Sequence, residues 1–175
     1  MNLPNLITIG RILLIPLFLL VFWSGRPHSI QWAMLVMALA GASDIIDGYL
    51  ARKLNLITSI GKILDPLADK LMIAAALTSL YLVGLVPLWL FLLIILKELI
   101  LVLGSGFVVY KREYDVSANA GGKIATVSIY AALFFVSFGL PAQNLFLYMA
   151  GIMALLSFIN YLYRYYCFIH RKTKS

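Results

Sequence analysis

Asp44-Ile45-Ile46-Asp47-Gly48-Tyr49-Leu50-Ala51-Arg52, followed after eight residues by Gly61-Lys62-Ile63-Leu64-Asp65-Pro66-Leu67-Ala68-Asp69, is the stretch on which the fold of this chain turns. The protein has seven acidic residues in all, and four of them are here, inside an otherwise oily sequence. Carboxylates are costly in or near a bilayer, so an acidic cluster among apolar spans points to a functional site. Asp44, Asp47, Gly48 and Ala51 follow i, i+3, i+4, i+7, and Gly61, Asp65 and Asp69 follow i, i+4, i+8. Each set lies on one face of a helix. Two helices that turn these faces together would make a four-carboxylate pocket lined by small residues.

Outward from that stretch the chain is apolar. Of its 175 residues, 63% are hydrophobic, against about half in a soluble domain. A membrane helix needs about 20 apolar residues. Six stretches fit: 5–23, 31–52, 60–83, 87–110, 123–139 and 144–166. The expectation is an all-α integral membrane protein with six transmembrane helices in a single domain, 1–175. Turn residues mark three of the connectors: Gly25-Arg26-Pro27, Gly84 with Pro87, and Gly139 with Pro141. Arg11 interrupts the first apolar run and no small-residue cleavage site follows it, so a retained span is expected there and not a signal peptide.

The cations fix an expected orientation. The odd-numbered connectors hold one, Arg26; the even-numbered connectors, the adjacent helix ends and the C-terminal end hold Arg52, Lys53, Lys111, Arg112, Arg164, Arg171, Lys172 and Lys174. The positive-inside rule then places both termini and the aspartates on the cytosolic side. The net charge of +7 suits anionic headgroups at that face. Nothing in the chain suggests nucleic acid as a partner. Cys167 is single, so it forms no internal disulfide, and a reduced, structural thiol is expected. Tyr161, Tyr163, Tyr165 and Tyr166 read as an interfacial anchor. His28 and His170 are isolated, and Glu113 and Asp115 solvate a loop.

Four ionised carboxylates at close quarters repel and raise one another's pKa. Two divalent cations would neutralise them, and hard ions such as Mg²⁺ or Mn²⁺ take oxygen ligands. A two-metal site is the usual tool for displacement at phosphorus. Gly48 and Ala51 leave space on the aspartate face for a ligand or for a second helix. Arg52 offers a fork for a diphosphate or snorkels to the interface. Pro66 removes one helical hydrogen bond; it either aims Asp65 or simply bends the helix.

The pattern Asp-x-x-Asp-Gly-x-x-Ala-Arg, eight residues, Gly-x-x-x-Asp-x-x-x-Asp resembles the signature of the CDP-alcohol phosphotransferases. Asp44, Asp47, Gly48, Ala51, Arg52, Gly61, Asp65 and Asp69 occupy every signature position. The resemblance implies a six-helix membrane enzyme, generally a homodimer, that moves a phosphatidyl group from CDP-diacylglycerol to an alcohol and releases CMP. It implies metal ligation by Asp44, Asp47 and Asp65, with Asp69 as general base and a further metal contact. It implies donor binding around Gly48, Ala51, Arg52 and Gly61, in a bacterial cytoplasmic membrane with the site open to the cytosol.

Pro4-Asn5-x-x-Thr8-x-x-Arg11 resembles the opening of the phosphatidylglycerophosphate synthase and cardiolipin synthase branch. Asn5, Thr8 and Arg11 could bind nucleotide or phosphate there, or could serve only as a helix start with a snorkelling cation. Gly121-Gly122-Lys123-Ile124-Ala125-Thr126 also looks like that branch, though Val127-Ser128-Ile129 follows where a glutamine is expected. Lys97-Glu98 stands where the branch often has Arg-Glu. Lys97, Arg112 and Lys123 are the candidate cations for an acceptor phosphate; Lys97 with Glu98 could equally be a structural pair, and Lys123 a topology signal. The leading expectation is transfer to sn-glycerol 3-phosphate, a small phosphorylated alcohol. The alternative of the same chemistry is phosphatidylglycerol as acceptor, giving cardiolipin. A membrane prenyltransferase would place its two acidic motifs far apart in sequence. A divalent-metal transporter is the non-enzyme alternative; its carboxylates would lie near the bilayer midplane, on repeated, broken helices.

Overall fold

Glycine and proline stop the helices where the sequence marks turns. This computed structural model describes the backbone of residues 3–53, 61–110 and 120–172, and the side chains of residues 12–43, 67–101 and 122–163. The described residues form six helices and no strand: α1 (Leu3–Phe22), α2 (Ser29–Lys53), α3 (Gly61–Leu82), α4 (Leu88–Tyr110), α5 (Ala120–Ser137) and α6 (Gln143–Lys172). Each expected span has its helix. The largest departure is α6, whose 30 residues extend about 45 Å at 1.5 Å per residue. It carries Arg164, Arg171 and Lys172 beyond the apolar run as part of one rod. α3 continues through Pro66 as one helix, the proline lying within the first turns, where few intrahelical bonds are lost.

Two helix ends close in the same way. At the end of α3, the Gly84 N–H donates to the Tyr81 carbonyl at 2.9 Å and the Leu85 N–H donates to the Leu80 carbonyl at 3.0 Å. At the end of α5, the Gly139 N–H donates to Val136 at 3.3 Å and the Leu140 N–H to Phe135 at 3.0 Å. Both are Schellman closures, which need a left-handed residue after the last turn. Gly84 and Gly139 supply it, with φ of 75° and 59°. The helices that follow begin next to Pro87 and Pro141, as expected of a residue that cannot continue a helix.

The chain divides into two compact units, Met1–Leu85 and Val86–Ser175. In the first, α1 packs on α2 and α3, and α2 packs on α3. The buried residues form stripes at helical spacing: Phe18 and Phe22 on α1; Ala33, Met37 and Ala40 on α2; Met72, Ile73, Ala76, Leu77 and Leu80 on α3. In the second, α6 packs on α4 and α5. Here Phe135 of α5 stacks on Phe146 of α6 with ring centroids 3.8 Å apart. Trp89 of α4 stacks on Tyr148 of α6 at 5.7 Å, and Gly151 lets the Trp89 ring approach to where a Cβ would sit at 2.8 Å. Alanines alternate with larger residues throughout these stripes, which lets helix backbones come close.

The outer faces are equally apolar. Leu13, Leu20, Leu39, Leu82, Val127, Leu145, Ile152 and Ile159 are all more than half exposed. One helical segment among the described residues, Gln143–Tyr163, is both long enough and apolar enough to cross a membrane. Shorter apolar segments occupy Ile12–Phe22, Ser29–Ser43 and Gly122–Ser137.

Candidate active site

The positions of the aspartates can be set against the buried stripes by helical register. On α2, Ala33, Met37 and Ala40 are at most 1% exposed. Continuing that register at 100° per residue brings Asp44, Asp47, Gly48 and Ala51 within about 60° of the same line. All of these positions lie in one unbroken helix. On α3 the register from Leu80 back through Ile73 and Ala76 reaches Asp69 and then Asp65, again within about 60°. The opposite side of α3 is exposed at Leu67, Leu71 and Leu82. Asp69 therefore lies on the core side of α3 and is half-buried there, next to the fully buried Ala68.

On α1 the line through Phe18 and Phe22, followed toward the N-terminus, passes the position of Arg11, with the positions of Thr8 about 60° and Asn5 about 120° from it. α1 packs on both acidic helices. The three sequence motifs of the first unit lie at the N-terminal end of α1, the C-terminal end of α2 and the N-terminal end of α3, on three mutually packed helices.

Of the four aspartates, Asp69 is the one whose side chain is described. The side chains of Asp44, Asp47, Asp65, Gly61, Ala51, Arg52, Asn5, Thr8 and Arg11 lie outside the described residues, as does the Cα environment of Gly48; Arg112 lies outside them altogether. No group of three or more His, Cys, Asp or Glu gathers among the described residues. The four aspartates are the residues that could hold divalent cations, since they offer oxygen donors only, as hard ions require. Their register on two contacting helices is compatible with that use.

The second unit carries the remaining candidates. Lys97 continues the buried stripe of Leu90 and Ile94 on α4 and is 4% exposed. Its Nζ lies 2.7 Å from Oε1 of Glu98, which is itself 15% exposed. Leu92, Leu96, Leu99 and Ile100 take the exposed side of α4. The pair is thus turned inward and not toward the apolar outer surface, as the cost of lipid-facing charge requires. Lys123 is exposed in the first turns of α5. Three residues below it, the Thr126 hydroxyl donates to the Gly122 carbonyl at 3.0 Å. The hydroxyl of the Gly-Lys-x-x-Thr run therefore serves its own helix. Two features that sequence reading passed over emerge from the structure: the Gly151–Trp89 approach, which resembles any other small residue in an apolar helix until its neighbour is known, and the surroundings of Arg26.

Comparison with known proteins identifies the family of this chain. The sequence model of the CDP-alcohol phosphatidyltransferase family matches residues 1–159. The CDP-diacylglycerol–glycerol-3-phosphate 3-phosphatidyltransferase of Bacillus subtilis (strain 168) is 44% identical, over 71% of this chain and 70% of its own length. A protein of the same name from Pseudomonas fluorescens is 54% identical over a shorter region, 46% of this chain and 41% of that one. The cardiolipin synthase (CMP-forming) of Streptomyces coelicolor is 38% identical over 74% of this chain and 61% of its own length. With the family match running through both units and all six helices, this chain belongs to the CDP-alcohol phosphatidyltransferase family.

Proposed function

We propose that this protein transfers the phosphatidyl group of CDP-diacylglycerol to sn-glycerol 3-phosphate, giving phosphatidylglycerophosphate and CMP. The observation that carries the proposal is the spacing of Asp44, Asp47, Asp65 and Asp69 along two helices that pack together, in a chain 44% identical to a relative named for that activity.

Asp44, Asp47 and Asp65, with Asp69, would hold two divalent cations, Mg²⁺ or Mn²⁺. When bound, such ions neutralise the donor diphosphate and the charge that develops on the departing CMP. The chain's own groups do the rest. Gly48 and Ala51 leave the α2 face low enough for the CDP moiety to lie against it, and Gly61 does the same at the start of α3. Arg52, Arg11, Thr8 and Asn5 supply donors for phosphate and nucleotide oxygens. Asp69, one turn from Asp65, accepts the proton of the acceptor hydroxyl. The acceptor oxygen attacks the phosphorus attached to diacylglycerol, and the bond from that phosphorus to CMP breaks with its electron pair leaving on CMP. Lys97, Lys123 and Arg112 are the cations assigned to the acceptor phosphate.

The same reading places the six helices across a bacterial cytoplasmic membrane, with both termini and the aspartates on the cytosolic side and the chain as a homodimer. Two observations support the placement. The outer faces of the helices expose leucine, isoleucine and valine over most of their length, more than a soluble monomer leaves in water. All three tryptophans, Trp23, Trp32 and Trp89, lie within a few residues of the odd-numbered connectors and are 43% exposed or more, as in an interfacial belt.

Phosphatidylglycerol as acceptor is the second reading, since one relative at 38% identity is named as a cardiolipin synthase. Purified protein supplied with CDP-diacylglycerol and Mg²⁺ or Mn²⁺, and with each acceptor in turn, separates the two. Phosphatidylglycerophosphate formed from glycerol 3-phosphate is the expected product. Cardiolipin formed from phosphatidylglycerol, with glycerol 3-phosphate inert, would reverse the assignment. Metal flux into vesicles without CMP release would point to the transporter alternative.

A further inference from the structure

The hairpin of α1 and α2 carries a recess at the end remote from the aspartates. A groove of about 510 Å³ opens between the last turns of α1 and the first turns of α2. Its walls are Leu20 and Val21 on one side and Trp32 and Val36 on the other. Its polar end is made by Arg26, Ser24 and Ser29. Asp44 and Asp47 lie about 22 and 27 Å further along α2 than Ser29, at 1.5 Å per residue, so the groove is separate from the catalytic end.

The chemistry of the groove is amphipathic in one direction. Arg26 is exposed on the connector, and no carboxylate of this chain lies among the lining residues. The connector backbone is bent by two left-handed residues, Gly25 at φ 66° and His28 at φ 59°. The Ser29 N–H donates to the Arg26 carbonyl at 3.1 Å, and the Ser24 hydroxyl donates to the Val21 carbonyl at 2.8 Å. These bonds tie down the backbone on both sides of the arginine. The other lining residues, Leu20, Val21, Pro27, Trp32 and Val36, are apolar, and Leu20 and Trp32 are 72% and 60% exposed. A guanidinium forks onto phosphate oxygens, and an acyl chain matches the apolar trough beneath it.

We propose that this groove binds one anionic phospholipid of the leaflet opposite the active site, with its phosphodiester at Arg26 and an acyl chain between Leu20 and Trp32. The inference rests on the membrane placement given above. Charge complementarity selects an anionic over a zwitterionic lipid, because Arg26 is the one cation that the sequence places on the odd-numbered connectors. One interfacial arginine contributes about a fivefold preference.

Trp32, in the wall, reports occupancy. The protein is reconstituted in phosphatidylcholine bilayers containing a small fraction of chain-brominated phosphatidylglycerol or chain-brominated phosphatidylcholine. The Trp32 contribution is the difference between the parent and Trp32→Phe. Quenching by the brominated phosphatidylglycerol should exceed that by the brominated phosphatidylcholine about fivefold. Arg26→Gln should remove the preference, Arg26→Lys should keep most of it, and millimolar inorganic phosphate should leave it intact. CMP release by Arg26→Gln should match the parent. Equal quenching by the two lipids overturns the inference while leaving the catalytic assignment standing. Loss of the preference on adding inorganic phosphate overturns it in favour of a free-anion site. No quenching by either lipid overturns it together with the membrane placement of α2.

Discussion

Lys97 and Glu98 are consecutive in α4, yet their charged ends meet at 2.7 Å in a setting that leaves them 4% and 15% exposed. Neighbours in a helix point about 100° apart, so both side chains must fold toward the same inward-facing patch to pair. Such a contact neutralises two charges in a place where neither alone is tolerable. Removing both partners should therefore cost less than the two single losses added together. Lys97→Met and Glu98→Gln are each expected to cost about 3 kcal/mol, and the double variant Lys97→Met/Glu98→Gln should recover a clear part of the summed loss. Thermal inactivation in detergent measures all three, and strict additivity would contradict the account. A rise in KM for glycerol 3-phosphate in Lys97→Met, beyond that in Glu98→Gln, would add the acceptor role to the structural one.

Gly151 sets how closely α6 approaches Trp89 of α4. A Cβ there would lie 2.8 Å and 3.0 Å from two ring atoms of Trp89 and 3.4 Å from a methyl of Leu90. The ring is held by its stack on Tyr148, so relief requires breaking that stack or parting the helices. Gly151→Ala is expected to destabilise by about 1–3 kcal/mol, the usual cost of overpacking, and Gly151→Leu by more. A melting temperature for Gly151→Ala equal to the parent's would show that the ring yields freely.

The proposed mechanism gives the four aspartates different roles. Asp44→Asn, Asp47→Asn and Asp65→Asn should abolish turnover and weaken divalent-metal binding together. Asp69→Asn should lose about 10²–10⁴ in rate, the range for removal of a general base, while still binding CDP-diacylglycerol. Near-normal activity in Asp65→Asn would remove it from the ligand set. Failure of Asp69→Asn to bind the donor would give Asp69 a structural or metal-binding role instead.

Gly48→Leu tests the donor face of α2. A leucine at this register places its side chain on the stripe shared with Asp44 and Ala51. Donor affinity should fall steeply while the protein still folds and binds Mn²⁺. Unchanged affinity for CDP-diacylglycerol would reduce Gly48 to a packing residue.

Much of this architecture was legible in the residues themselves. Long apolar runs give α1 to α5 to within a few positions, and at two of the connectors the turn residues that read as punctuation form the left-handed closures at Gly84 and Gly139. The acidic faces of α2 and α3 were legible because a helical period is short and an aspartate in an apolar segment stands out. The stripes add what spacing lacks: a helix face can be read from sequence, but which face turns inward depends on partners. The burial of Met37, Ala40, Ile73 and Ala76 shows which side of the described helix segments turns inward. The Lys97–Glu98 contact was open between alternatives for a similar reason, since nothing in a dipeptide says that adjacent charges will converge. The groove at Arg26 was invisible because its walls come from two helices and its cation reads as one more topology signal.

The central claim is that two helix stripes deliver four carboxylates to one divalent-metal site. Mn²⁺ binding to the purified protein, followed by electron paramagnetic resonance, tests it most directly. Two ions per chain with a spin–spin coupled signal are expected, and Asp47→Asn on α2 and Asp65→Asn on α3 should each collapse that signal. Mn²⁺ binding that is absent, or that responds to substitutions on one helix and not on the other, would contradict it.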